Sequence, residues 1–184
     1  MMKVFRHHEI KKIADYVKNG GVIVYPTDTV WGIGGNALDE NVVQKVKTAK
    51  GKPDDAKLIW LLPSMKAVEL HCGKITAVEK NILRKKRTTV IVNGQAVRVV
   101  RSGWLNKLLS ACSVPLVATS ANLHGQPVIE SWRQGVQVFA EKDLAVVRGR
   151  KIYHQKPSSL VQIDTQQNPP QIKVLRAGSG ISMK

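Results

Sequence analysis

The apolar positions of the chain change their period several times, and each change marks a boundary. Between residues 8 and 19, Ile10, Ile13, Ala14 and Val17 recur at the three-and-four spacing of one helix face, and Asn19-Gly20-Gly21 stops the pattern. Val22 to Tyr25 then run without a polar break, which predicts a buried strand. Helical period returns after Asp39, an N-cap ahead of Val42, Val43, Val46 and Ala49. LIWLL (58–62) predicts another buried strand, Ser64 opens a short helix, and a further helix falls near Thr76–Arg84. Two β-rich runs over 88–100 flank Asn93-Gly94, the preferred pair for a type I′ hairpin turn. Trp104, Leu105, Leu108, Leu109 and Cys112 mark an amphipathic helix, and PLVATSANLHGQP (115–127) is a short strand entering a polar loop. Residues 130–141 read as a helix with Trp132, Val136 and Phe139 inward. LAVV, SLVQI and QIKVL, ending at 147, 163 and 175, supply late strands.

Helices and strands are mixed along the chain, and one strand pair is a hairpin. That combination predicts an α+β fold of three layers: a mixed sheet with helices on both faces, not an all-parallel doubly wound sheet. No linker or repeat divides the 184 residues, so one domain over 1–184 is expected. No run approaches a membrane span, and the first residues lack the apolar core of a signal peptide. Cys72 and Cys112 have neither disulfide-framework nor metal-site spacing and read as reduced thiols of a cytoplasmic protein. The charge is unusual: 29 Lys and Arg against 13 acids give a formal +16. Such a surface draws polyanions, whether nucleic acid or nucleotide phosphates.

Four polar segments follow or flank predicted strands, where layered α/β proteins place ligands: 25–34, 50–57, 118–127 and 156–164. They offer hydroxyls, amides and cations but no catalytic triad. The histidines at 7, 8, 71, 124 and 154 show no metal spacing, and the chain has no Walker A or GxGxxG motif. This inventory suits phosphoryl or nucleotidyl transfer, which needs held phosphates and neutralised charge more than a protein nucleophile. Lys50 and Lys52 are candidates to grip a triphosphate, and Ser120 and Asn122 to bond phosphate or sugar oxygens.

YPTDTVWGIG, a basic K-x-K element, VRV, PLVATSANLHGQP, PSSLV and VLRAG occur in the order seen in the YrdC family, from about Val22 to Gly178. The chain resembles a threonylcarbamoyl-AMP synthase of the short, single-domain kind. The resemblance implies a twisted, YrdC-like mixed sheet with a concave, basic cleft. It also implies a reaction in which L-threonine, bicarbonate and ATP, with Mg²⁺, give threonylcarbamoyl-AMP and pyrophosphate. A downstream transferase complex then moves the threonylcarbamoyl group to a tRNA adenosine. By the same resemblance Thr29, Arg98, Ala118 and Ser158 hold threonine. Lys50, Lys52, Thr89, Ser120, Asn122 and Arg176 meet ATP, with Lys50 and Lys52 the catalytic cations.

The chain departs from that pattern in places. Lys52 stands where the family usually has arginine, RKKRTT (84–89) replaces a Trp-Pro-Gly-like turn, His124 replaces a serine, and Leu61 stands where some relatives have histidine. Lysine keeps the charge at position 52 but not the bidentate fork. Two competing functions stay open at this point. One is a tRNA- or double-stranded-RNA-binding protein without catalysis, favoured by the net charge. The other is a carbamoyl-adenylate enzyme acting on a different acceptor.

Overall fold

Alternation along the strands decides where this protein keeps its core and where it leaves a surface bare. The computed structural model describes residues 2–51, 58–101, 103–153 and 156–181. The first half contains β1 (Lys3–Phe5), α1 (Ile10–Lys18), β2 (Ile23–Tyr25), β3 (Gly32–Asn36), α2 (Glu40–Lys50), β4 (Ile59–Leu62), α3 (Met65–Cys72) and α4 (Ala77–Leu83). The second contains β5 (Thr88–Val92), β6 (Gln95–Val99), α5 (Gly103–Cys112), β7 (Leu116–Ser120), α6 (Trp132–Val138), β8 (Ala145–Val147), β9 (Ser159–Asp164) and β10 (Gln171–Arg176). The strands form one sheet in the order β1-β8-β2-β3-β7-β4-β6-β5-β9-β10. Parallel pairs such as β4–β6 and β5–β9 alternate with antiparallel ones such as β3–β7 and β5–β6, so the sheet is mixed as expected.

The local signals in the sequence explain most elements. Asp39 caps α2 by accepting from Asn41 N and Val42 N. Ser64 caps α3, and Thr76 with Glu79 closes a capping box on α4. Asn93 and Gly94 both take positive φ, 46° and 84°, as a type I′ turn requires. The helix expected over 130–141 is shorter, Trp132–Val138, and Phe139 caps it while remaining fully buried. Two strands were not foreseen, β1 and β3. β3 reads GIGGN and has almost no side chains to carry a period.

On one face, Ile23, Tyr25, Leu61, Leu116 and Ala118 pack beneath α1 and α5. On the other, Val22, Val24, Ile33 and Val117 meet α2 and α6, while Leu62, Val90, Val97 and Val161 meet α3 and α4. Helices therefore lie on both faces, but unequally. The first face is roofed by α1 and α5 only. Beyond them the intervening side chains of β4 to β9 (Ile59, Ile91, Ala96, Arg98, Leu160) line an open cleft.

Candidate active site

The cleft encloses about 610 Å³. Thr29, Arg98, Ala118, Ser120, Ser158 and Arg176 line it, so six of the sequence-predicted site residues converge on one cavity. They arrive from the turn after β2, the penultimate residue of β6, two positions of β7, the residue before β9 and the end of β10. Lys50, Thr89 and Asn122 stand one hydrogen bond behind the lining, on Ser120 O, Ser158 and the Ser120 hydroxyl. Lys52 lies outside the described residues. The described lining contains no carboxylate.

Pro26 ends β2 and throws the chain into a turn built from threonine hydroxyls. Thr27 Oγ1 donates to Val30 O at 2.7 Å and accepts from Thr29 N at 2.9 Å. A hydroxyl has one hydrogen, so in the 3.0 Å contact between the two hydroxyls Thr29 is the donor. Thr29 Oγ1 also accepts from Arg98 Nη1 at 3.2 Å. Arg98 Nη2 pairs with Asp28 Oδ1. The guanidinium is thus fixed by two residues of the PTDT turn, and its side chain is only 6% exposed against 48% for Asp28. Asp28 is the counter-ion of a buried cation, a role the sequence reading did not assign it. The proximity of the motif to Arg98 is created only when β6 is laid beside β4 in the sheet.

A second cluster lies on the neighbouring strands β5, β9 and β10. Thr89 and Ser158 share a hydrogen bond at 2.8 Å, both buried. Arg176 Nη2 donates to Ser158 O at 2.9 Å, with Nε at 3.2 Å from the same oxygen. Burial lowers the Arg176 pKa from its usual value. The sequence reading divided these residues between threonine and ATP; in the fold they are one hydrogen-bonded group.

Lys50 behaves differently from a lysine at a helix end facing solvent. It is 1% exposed. Its ammonium donates to Ser120 O, to Asn122 O at 2.7 Å and to Asn122 Oδ1 at 2.7 Å. Ser120 Oγ donates to the same amide oxygen at 2.7 Å, and Asn122 Nδ2 holds Gln126 O at 2.6 Å. Lys50 therefore clips the loop after β7 into shape and places a positive charge behind Ser120. His124 joins through its backbone N, which donates to Lys50 O at 2.7 Å. Leu61 contributes an apolar wall to the cleft.

Chemically, the cavity offers two arginines, from β6 and β10, several neutral hydroxyls and a lysine beneath one loop. That set binds anions and orients an acceptor. Neither cysteine lines it, and burial pushes the Cys112 thiol up to about 11. Tyr25 also lines the cavity, unforeseen because it closes an apolar run and reads as core.

Comparison with known proteins identifies the family and the fold. The Sua5/YciO/YrdC family model, described as telomere recombination, matches residues 15–178. The threonylcarbamoyl-AMP synthase of Pyrococcus abyssi is 30% identical over 159 residues, covering 77% of this chain and 46% of that protein. The enzyme of the same name from Vibrio parahaemolyticus is 27% identical over 176 residues, covering 85% of this chain and 95% of that one. A crystal structure of P. abyssi Sua5 complexed with L-threonine matches with a TM-score of 0.82 at 27% identity, covering 97% of this chain and 57% of that chain. The chain thus spans about half of the archaeal protein and nearly all of the bacterial one.

Proposed function

Because the chain belongs to the Sua5/YciO/YrdC family, we propose that it is a threonylcarbamoyl-AMP synthase, a nucleotidyltransferase serving tRNA modification. The observation that carries this reading is the convergence of Thr29, Arg98, Ser158 and Arg176 on one cleft whose described lining holds no cysteine and no histidine to activate its hydroxyls. In the reaction, the free amine of threonine combines with bicarbonate, losing water, to give a carbamate. A carbamate oxygen attacks the α-phosphorus of ATP, the bond to the β-phosphate oxygen breaks, and pyrophosphate leaves. The protein supplies position and charge rather than a covalent intermediate.

Arg98 takes the threonine carboxylate through a charge-assisted hydrogen bond. Thr29, Ala118 and Ser158 border the amino acid. Arg176 and the Ser120–Asn122 loop, backed by Lys50, face the nucleotide, and Lys52 is assigned to the leaving phosphates. The described lining has no carboxylate for a resident metal; Mg²⁺ would come with ATP and would supply neutralising charge to its phosphates. The tenfold or greater gain that buried donors give a developing negative charge needs a closed, dry site.

The test is pyrophosphate release from ATP in bicarbonate buffer with Mg²⁺, with and without L-threonine. Release that depends on threonine supports the synthase; release stimulated by carbamoyl phosphate in place of threonine and bicarbonate would move the protein to the other acceptor class.

A second reading concerns RNA and rests on a different surface. A groove of about 1150 Å³ opens beside the cleft and shares Thr27 and Arg98 with it. Arg84, Lys85, Lys86, Arg87, Arg101, Arg148 and Arg150 line it, and Asp28, already paired with Arg98, is its one carboxylate among the described residues. Such a groove fits a phosphate backbone, and an RNA-binding role is compatible with catalysis next door.

A further inference from the structure

Among the described residues, two buried side-chain polar atoms have no hydrogen-bond partner: Tyr25 Oη and Arg98 Nε. Both residues line the same cleft. Buried polar groups are otherwise paired almost without exception, because leaving one unmatched costs most of its desolvation free energy. Two orphans in one cavity point to a ligand that completes them.

The surroundings bring the two together. Tyr25 pairs with Gly32 across β2 and β3. A Cβ on Gly32 would lie 3.2 Å from Tyr25 Cζ, the carbon that carries the hydroxyl, and 3.4 Å from Thr27 Cγ2. The phenol end therefore lies over the glycine, against the turn whose next hydroxyl, Thr29, holds Arg98 Nη1. Burial raises the Tyr25 pKa, and the Arg98 charge opposes the rise without overcoming it. The phenol stays protonated and can donate.

What accepts from both is constrained by charge. Arg98 is already neutralised by Asp28. A second carboxylate would leave the site negative, and the amino acid carries no compensating charge once its amine has lost a proton to react. An added neutral donor stabilises that negative charge by hydrogen bonding without adding to it. Water would accept from both donors but must then give away two hydrogens, and the nearby Thr27 and Thr29 hydroxyls are already bonded to each other. A carboxylate has nothing to give away.

We propose that Tyr25 is a substrate-contact residue: its hydroxyl and Arg98 Nε together grip the carboxylate of the amino-acid substrate. The proposal rests on the synthase reading and specifies how that site recognises its substrate. It makes Gly32 part of the site as well, because a Cβ there would press on the phenol at 3.2 Å and displace it by a few tenths of an ångström.

The experiment compares wild type with Tyr25→Phe, using threonine and threoninamide as probes. In the pyrophosphate assay the variant's KM for threonine rises about tenfold, as expected for one hydrogen bond to a charged group, while kcat and the KM for ATP stay within about twofold. In thermal melts the threonine-induced shift shrinks, the threoninamide shift is unchanged, and the unliganded protein melts no lower than wild type. An unchanged threonine KM overturns the assignment. So does a unliganded variant that melts lower while keeping its threonine response, since the hydroxyl would then be structural. A wild type showing neither threonine-dependent release nor a threonine shift overturns the synthase reading and this proposal together; a wild-type response that Tyr25→Phe leaves intact overturns this proposal alone.

Discussion

Lys50 shows how a residue's role depends on partners far away in the chain. In the sequence it ends a helix, where a lysine ordinarily faces solvent and the negative end of the helix dipole. In the fold its three donors meet three acceptors of the 120–122 loop, and no local signal announces contacts some seventy residues distant. Lys50→Met keeps the length and apolar stem but leaves buried oxygens unmatched. We expect it to lose about 3 kcal/mol or more of stability in urea unfolding, together with a raised KM for ATP as Ser120 and Asn122 loosen. A raised KM with unchanged stability would instead make Lys50 a direct phosphate ligand. Arg98 is the contrasting case, legible from its motif although its ion pair with Asp28 was not. Arg98→Ala should raise the threonine KM roughly a hundredfold and the ATP KM far less. Equal losses on both substrates, measured by steady-state pyrophosphate release, would remove Arg98 from the carboxylate site.

At the scale of elements, legibility followed side-chain pattern. The hairpin β5–β6 announces itself because Asn93 and Gly94 carry the turn in their own conformational preferences. β3 does not, since three of its five residues are glycine and a strand is recognised by alternating side chains. The reason for the glycines appears only in the assembled sheet. A Cβ on Gly34 would come 1.7 Å from Val117 O of β7, and one on Gly35 would come 2.5 Å from Val42 Cγ1 of α2. β3 lies between β2 and β7, so neither neighbour can retreat without opening the sheet. Gly34→Ala should therefore cost more than about 3 kcal/mol, at the extreme of single substitutions, and yield little folded protein. Gly51→Ala is the control. Gly51 has φ 63° with nothing within 4 Å of an added Cβ, so only the left-handed conformation is penalised, by about 1 kcal/mol. Similar melting temperatures for the two variants would mean that β3 is not held against β7 as tightly as its geometry states.

The whole molecule combines a sheet whose one face is half unroofed with a charge of +16. The mixed sheet and its two-sided helices could be read from period and turn chemistry; the bare stretch of face that becomes the cleft could not, because it depends on strand order. Charge was legible in amount but not in place. In the sequence the run Arg84–Arg87 reads first as a solvated charged turn and only otherwise as an RNA- or phosphate-facing patch. The fold puts it beside Arg101, Arg148 and Arg150 along one groove, with Arg101 Nη1 donating to Arg84 O at 3.2 Å. If this groove holds an RNA backbone, affinity must fall steeply with salt, because each neutralised phosphate releases counterions. Replacing Arg84, Lys85 and Lys86 together by glutamate changes exposed residues outside the threonine and ATP cleft. Titration of a labelled tRNA at several salt concentrations should show weaker binding, with the slope of log affinity against log salt shallower by about two to three. Threonine-dependent pyrophosphate release should persist in the same variant. If the slope does not move, the positive charge of this face serves solubility, and RNA, where bound at all, is held elsewhere.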